Sequence, residues 1–251
     1  MQSHSIINKQ GGRLAACVFM PAIAARLVLI VCHGFRGGKE NGGRIFDFAN
    51  RLNELGIIVL AFDFSGSGES EGDFVNLTLS QQVSDLQSVI NYVDEYYKLP
   101  MVLLGRSFGG STVIAGGAVD KRIAAFALWS TPFFIAETFA AMMPAEYELM
   151  QAGQVVNIRD EAGNYDLGPA LAADIACHDM DNYLQGIGNR PVLIIQARDD
   201  ELVAPENAQY MQAHMDNVSL HLIDRAGHRF LEKLTLRENL TIDWLKNMFA
   251  L

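Results

Sequence analysis

Short runs of apolar residues alternate along the chain with segments whose apolar positions recur at helical spacing. Strand-like runs cover residues 26–32, 101–104, 191–196 and 218–223, and an opening hairpin turns at residues 10–12. Apolar residues at helical spacing form two stripes: Ile45, Phe48, Ala49 and Leu52 in the first, and Val83, Leu86, Val89, Ile90 and Val93 in the second. The second helix is predicted to start at Thr78 or Ser80. The pattern predicts the α/β class, with a mostly parallel, doubly wound sheet covered by helices on both faces.

One segment breaks this alternation. Residues 131–190 lie between two predicted core strands and are several times longer than a usual connection. We therefore predict a single domain over residues 1–251 with a cap or lid insertion at about 131–190. Within it, residues 154–165 predict a hairpin that turns from Glu161 to Asn164. About half of its large apolar side chains are expected to line a pocket and the rest to pack the cap: Phe133, Phe134, Phe139, Met142, Met143, Tyr147, Met150, Tyr165 and Tyr183.

A Gly-x-Ser-x-Gly motif stands between a predicted strand and a predicted helix. Gly105 and Gly109 flank Ser107 at a distance of two residues, where larger side chains would collide in a sharp turn. The turn places Ser107 at a helix N-terminus, where free N–H groups favour developing negative charge. This context predicts a nucleophilic serine.

A serine nucleophile needs a base that a third group orients, and in hydrolases of this kind the chain order is serine, then acid, then histidine. Asp199 and Asp200 end the strand at 191–196, and we predict Asp200 as the acid because a residue that turns inward leaves its neighbour pointing to solvent. His228 is predicted as the base because it lies in the loop after the last strand. The other histidines occupy less suitable positions: His4, His33, His178, His214 and His221.

The segment after the strand at 26–32 predicts the remaining part of the site. The backbone N–H groups of Phe35 and Phe108 are expected to form an oxyanion hole, and Gly34 allows a close approach of that loop. The ring of His33 is expected to hydrogen-bond to loop backbone and to move no proton.

Five stretches carry a resemblance to a known family: residues 33–35, 62–70, 105–110, 200–203 and 227–230. The chain resembles the α/β-hydrolases, in the branch of cinnamoyl/feruloyl esterase-like and monoacylglycerol lipase-like enzymes. The resemblance implies a serine esterase with the triad Ser107, His228 and Asp200, in which the acid is followed by two residues and a valine. It also implies that the cap carries substrate selectivity.

The chain departs from this family pattern at two places. Arg106 precedes the nucleophile where histidine is commoner in the esterases, and arginine there is familiar in peptidase-like relatives. Gln196-Ala197 stands where His-Gly is frequent, a change expected to affect only local packing. The alternatives are therefore a prolyl-oligopeptidase-like peptidase or amidase, a thioesterase, or a noncatalytic binding protein on the same fold.

Composition and charge narrow the choice of ligands. The net charge of −10 argues against nucleic acid and anionic membrane surfaces. The three cysteines show no metal-ligand or disulfide spacing, and Gly66-Ser67-Gly68 does not fit a dinucleotide loop. We expect no cofactor and no metal, and a small-molecule ester as substrate. Because neither an export signal nor an apolar run of roughly 18 residues occurs, we expect a cytoplasmic location. The oligomeric state stays open, with a homodimer among the alternatives.

Most of the negative charge falls on the predicted cap. Residues 131–190 contain nine acidic residues against Arg159 and Arg190. A negative rim repels anionic substrates, so this distribution predicts a preference for neutral esters, either short-chain or hydroxycinnamoyl-like aryl esters, over acyl-coenzyme A or phospholipid.

Overall fold

The computed structural model describes residues 1–160 and 163–251. Their strands, numbered in chain order, are β1 (Gln2–Ile7), β2 (Arg13–Phe19), β3 (Leu27–Cys32), β4 (Ile57–Phe62), β5 (Met101–Arg106), β6 (Ile123–Trp129), β7 (Val156–Asp160), β8 (Gly163–Leu167), β9 (Val192–Ala197) and β10 (Val218–Ile223). The helices are α1 (Ile45–Asn53), α2 (Leu79–Tyr96), α3 (Phe108–Gly117), α4 (Ile135–Met142), α5 (Pro144–Gln151), α6 (Ala170–Ile175), α7 (Met180–Ile187), α8 (Glu206–Ala213) and α9 (Leu234–Phe249).

Eight of the described strands form one sheet in the order β1-β2-β4-β3-β5-β6-β9-β10. The pairs β1–β2 and β2–β4 are antiparallel, and every later pair is parallel. The central strands are buried along their length, as expected for parallel strands covered on both faces. The predicted α/β fold class is confirmed.

The register brings the carboxyl ends of the central strands to one edge of the sheet. Cys32 pairs with Gly105, Trp129 pairs with both Arg106 and Ile195, and Ala197 pairs with Ile223. The loops that follow β3, β5, β9 and β10 therefore leave the sheet side by side. In open α/β sheets ligands bind at this edge.

Two apolar clusters cover the two faces of the sheet. On one face pack α2, α3, α8 and the segment between β6 and β9, while α1 and α9 pack on the other. The helix predicted to start at Thr78 or Ser80 is α2, whose N-cap is Thr78: its hydroxyl accepts a hydrogen bond from the Gln81 N–H at 3.0 Å. Side-chain caps of this kind satisfy N–H groups that have no partner within the helix.

The segment between β6 and β9 contains α4 to α7 and the hairpin of β7 and β8. Val156 pairs with Leu167 and Ile158 with Tyr165 in this hairpin, as the sequence pattern predicts. The predicted turn falls partly on Glu161 and Ala162, which lie outside the described residues. Within the chain that is described, no helix is both long and apolar enough to cross a membrane.

Candidate active site

Ser107 occupies a strained turn between β5 and α3. Its φ of 51° and ψ of −129° lie in a region that residues other than glycine rarely adopt. The turn is fixed on both sides, because the Ser107 N–H donates to the Trp129 carbonyl at 2.8 Å and the Gly110 N–H donates to the Ser107 carbonyl at 2.7 Å. The side chain of Ser107 is thus held at the edge of the sheet.

The flanking glycines make this turn sterically feasible. A Cβ on Gly105 would lie 2.5 Å from the Cα of Gly110, and one on Gly109 would lie 2.5 Å from the carbonyl oxygen of Cys32. Both distances are far below van der Waals contact, and the obstructing atoms are backbone. The glycines are required by close packing of strand, turn and helix, as the sequence pattern predicts.

The predicted nucleophile, base and acid lie in one hydrogen-bonded chain. His228 Nε2 is 3.1 Å from the Ser107 Oγ, and His228 Nδ1 is 2.9 Å from Asp200 Oδ1 and 3.0 Å from Oδ2. The side chain of Asp200 is fully buried and that of His228 is 6% exposed. This is the geometry in which a carboxylate orients an imidazole toward a serine hydroxyl.

Backbone and side-chain donors hold Asp200 in this orientation. The N–H groups of Leu202 and Val203 donate to Asp200 Oδ1 at 3.0 and 2.8 Å, and Gln196 Nε2 donates to Oδ2 at 2.9 Å. Gln196 is fully buried and also donates to the Val203 carbonyl at 2.9 Å. The expectation that Gln196 affects only local packing is therefore wrong: it is a polar support of the acid.

The two neighbours of Asp200 hold the loop that carries His228. Asp199 Oδ1 accepts hydrogen bonds from the N–H groups of Ala226 and Gly227, and the first of these bonds is the main cause that lowers the pKa of Asp199. Glu201 Oε2 accepts from the N–H of His228 at 2.9 Å. The expectation that Asp199 points to solvent is corrected in part: the carboxylate is exposed, yet it is bonded to loop backbone.

The loop after β3 approaches Ser107 closely. A Cβ on Gly34 would lie 3.0 Å from Ser107 Cβ, so the backbone that leads to Phe35 borders the serine. Phe108 is the first residue of α3, and its N–H has no acceptor within the helix. The two amides predicted for an oxyanion hole thus belong to segments on either side of Ser107.

His33 has the structural role that the sequence suggests. Its Nε2 accepts from the Phe64 N–H at 3.1 Å, and its Nδ1 lies 2.8 Å from the Gly34 carbonyl. Burial lowers the pKa of His33, which favours a neutral ring with the proton on Nδ1. The ring ties the loop after β3 to the loop after β4.

Aromatic rings line the side of Ser107 that faces the segment between β6 and β9. Phe35 contacts Phe74, Phe139 and Tyr165 at centroid distances of 5.4 to 6.1 Å, and Phe108 contacts Phe139 at 5.3 Å. Among the predicted pocket residues, Phe133, Phe139, Met143, Tyr147 and Met150 are buried in the core, whereas Phe134, Met142, Tyr165 and Tyr183 are half-buried.

Arg106 points away from this aromatic wall. Its Nη1 donates to Asn41 Oδ1 at 2.9 Å, and its Nε has no hydrogen-bond partner among the described residues. Burial, with Arg229 and Arg44 nearby, lowers the pKa of Arg106. The described residues contain no group of three or more His, Cys, Asp or Glu side chains that could hold a metal ion.

The fold and the arrangement of the site are those of the α/β-hydrolase class. The chain belongs to the family described as "Serine aminopeptidase, S33", whose model matches residues 23–164. The monoacylglycerol lipase of Mycolicibacterium smegmatis is 34% identical over 117 residues, which cover 46% of this chain and 41% of the relative. Human monoglyceride lipase is 31% identical over 117 residues, 45% of this chain and 37% of the relative. The matches thus span about two fifths of the curated relatives' length.

Solved structures show the same fold over nearly the whole chain. Est1E from Butyrivibrio proteoclasticus, solved with ferulic acid bound, superposes with a TM-score of 0.82 at 23% identity and covers 98% of this chain and 99% of that one. The esterase PF2001 from Pyrococcus furiosus gives a TM-score of 0.75 at 21% identity, with 99% and 91% covered.

Proposed function

We propose that this chain is a serine esterase that hydrolyses carboxylic esters through an acyl-enzyme. The observation that carries the proposal is the hydrogen-bonded chain from Ser107 through His228 to Asp200. The Ser107 end of this chain lies beside the loop of Phe35. The names of the relatives, lipases and esterases, support the same class of reaction.

In the proposed mechanism His228 takes the proton of Ser107 as the Oγ attacks the ester carbonyl. The amides of Phe35 and Phe108 stabilise the tetrahedral oxyanion, and Asp200 stabilises the imidazolium. His228 then protonates the departing alcohol, which leaves an acyl group on Ser107. A water molecule that His228 activates releases the acid and restores the serine. The mechanism needs no cofactor and no metal.

We propose neutral esters as substrates, with a short-chain or aryl acyl group. The excess of acidic residues in 131–190 supports a neutral substrate, because negative charge on this segment disfavours anionic substrates. The aromatic wall of Phe35, Phe108, Phe139 and Tyr165 supports an apolar acyl group next to the nucleophile. The net charge of −10 supports a protein that binds neither nucleic acids nor anionic membranes, and we propose a cytoplasmic location.

The test compares initial rates on p-nitrophenyl acetate, butyrate and octanoate and on methyl ferulate. The wild type is measured beside Ser107→Ala, and Ser111→Ala, the next serine along the chain, serves as the matched control. Loss of hydrolysis in Ser107→Ala alone supports the proposal. Turnover that survives in Ser107→Ala overturns it, and the preferred ester distinguishes an alkyl pocket from an aryl pocket.

An amidase is the second candidate, because the family description names an aminopeptidase and Arg106 precedes the nucleophile. The same triad would then cleave a peptide or amide bond, or a thioester. Aminoacyl and dipeptidyl p-nitroanilides and an acyl thioester, assayed at the same enzyme concentration, decide between these reactions. A noncatalytic binding protein is the remaining alternative, and failure of Ser107 to react with a fluorophosphonate would favour it.

A further inference from the structure

A cavity of about 210 Å³ lies behind the nucleophile, under the loop that joins β3 to α1. Its lining includes Ile45, Phe48, Leu104 and Trp129, all of which belong to the apolar cluster on the face of α1 and α9. The aromatic wall beside Ser107 belongs instead to the opposite face. In the described chain, neither Ser107 nor His228 lines this cavity. It is thus a separate space with an apolar floor.

The rim of the cavity is basic. Lys39 is neutralised by Asp63 at 2.8 Å and by Glu69, and the acidic residue Glu238 pairs with Arg51 at 3.2 Å. Arg36 lies over the ring of Tyr165 at 3.6 Å. The remaining charged residues on the rim are Arg44 and Arg106. Neither forms an ion pair with another residue of 1–160 or 163–251.

A further cation lies directly behind the floor. Arg237 is 1% exposed and stacks over Trp129 at 4.1 Å, and its Nε and Nη1 have no hydrogen-bond partner among the described residues. Burial and the charge of Arg106 lower the pKa of Arg237 to about 9. Buried cations are costly unless an anion compensates them. Arg106, Arg44 and Arg237 therefore give this region positive charge that Glu238, which also pairs with Arg51, offsets only in part.

We propose that this cavity binds a small amphipathic monocarboxylate, such as an aryl carboxylate. Its carboxylate would accept hydrogen bonds from Arg106 and Arg44, since a guanidinium group matches the two oxygens of a carboxylate. Its hydrocarbon part would lie against Ile45, Phe48 and Trp129. The apolar floor favours such an acid over inorganic phosphate. The site is independent of the proposed esterase activity.

The test is titration calorimetry with sodium benzoate at constant ionic strength, with and without a fluorophosphonate on Ser107. We expect one benzoate per chain and equal affinity in both forms. Arg106→Gln and Arg44→Gln should each weaken binding by about tenfold or more, because a hydrogen bond to a charged group is lost. Arg13→Gln is the matched control and should bind normally, because Arg13 is paired with Glu71 and does not line the cavity. Inorganic phosphate and benzamide should bind much more weakly than benzoate.

Three results would overturn the proposal. Absence of binding at millimolar benzoate would show that the cavity takes no such ligand. Loss of binding after modification of Ser107 would place the carboxylate in the active site, and phosphate binding as tight as benzoate binding would remove the role of the apolar floor. Arg44 is exposed, so Arg44→Gln keeps the test valid if Arg106→Gln fails to fold. If Ser107 resists the fluorophosphonate, the proposed function fails while the unmodified protein and the arginine variants still decide this proposal.

Discussion

Replacement of Gln196 by methionine should reduce catalysis without weakening substrate binding. Methionine has a similar volume and fits the buried site, but it removes the hydrogen bonds of Nε2 to Asp200 Oδ2 and to the Val203 carbonyl. A bond to a charged group contributes about 1.5–3 kcal/mol and a neutral one about 1 kcal/mol. The substitution also removes Gln196 Oε1, which is buried without a partner among the described residues and costs about 1–3 kcal/mol. The net loss of stability is therefore at most about 3 kcal/mol.

The effect on kcat follows from what remains around Asp200. Its Oδ1 keeps the N–H donors of Leu202 and Val203, so the carboxylate stays in place but can rotate away from His228. If poorer orientation of the imidazole raises the activation free energy by about 1.4 kcal/mol, kcat falls about tenfold. Asp200→Asn should cost far more, on the order of 10⁴-fold, as in other serine triads. KM should stay unchanged, because Gln196 is buried beneath the site.

Steady-state kinetics on p-nitrophenyl butyrate and urea denaturation measure the two effects separately. Gln82→Met is the matched control, since Gln82 is also buried and hydrogen-bonded but lies on α2, where it accepts from Thr112. It should lose stability and keep its kcat. A wild-type kcat in Gln196→Met, or equal losses of kcat in both variants, would refute the role assigned to Gln196.

Three further predictions concern the support of the site. Gly109→Ala should lower the free energy of unfolding in urea by at least about 2–3 kcal/mol, because its Cβ meets the backbone of Cys32. A Cβ on Gly12 meets only the side chain of Asn8 at 3.4 Å, so an equal loss in Gly12→Ala would contradict the steric argument. Burial lowers the pKa of His33, so below about pH 6.5 the unfolded chain binds a proton that the folded chain does not, and stability falls as the pH drops. Denaturation at about pH 7.5 and about pH 5 should show a smaller difference in His33→Gln, and an unchanged difference would count against this account. Glu201→Ala should lower kcat several-fold by freeing the loop of His228, while Glu201→Gln keeps an acceptor and should stay near wild type.

The sequence predicts the parts of the site that depend on position along a strand or turn. Ser107, Asp200 and His228 each follow a strand of the parallel sheet, and such strands end at a common edge, so their meeting can be expected from the order of strands alone. Glycine spacing around Ser107 can be interpreted in the same way, because the steric demand of the turn is local.

The features that the sequence does not reveal either leave a single weak signal in it or depend on contacts between distant segments. The bond from Gln196 to Asp200 spans only four residues, and its one signal in the sequence is a polar residue at the end of an apolar strand. The bonds of Asp199 and Glu201 to the loop of His228 depend on the packing of two loops 27 to 28 residues apart. The basic cavity brings together the loop after β3, the end of β5 and the start of α9, which no local pattern connects.

The pairing of β6 with β9 has a consequence for how the active site is assembled. Ser107 precedes the long segment of residues 131–190 in the chain, and both Asp200 and His228 follow this segment. The two parts of the sheet are joined by a short parallel ladder, from Phe126 with Val192 to Trp129 with Ile195. In terms of chain connectivity the proposed triad is divided: Ser107 lies in the first part, and Asp200 and His228 lie in the second. The packing of α9 against α1 and Trp129 joins the same two parts. Recovery of the proposed hydrolysis during refolding therefore reports the assembly of both parts, and two complementary fragments cut within residues 131–190 would each lack part of the triad.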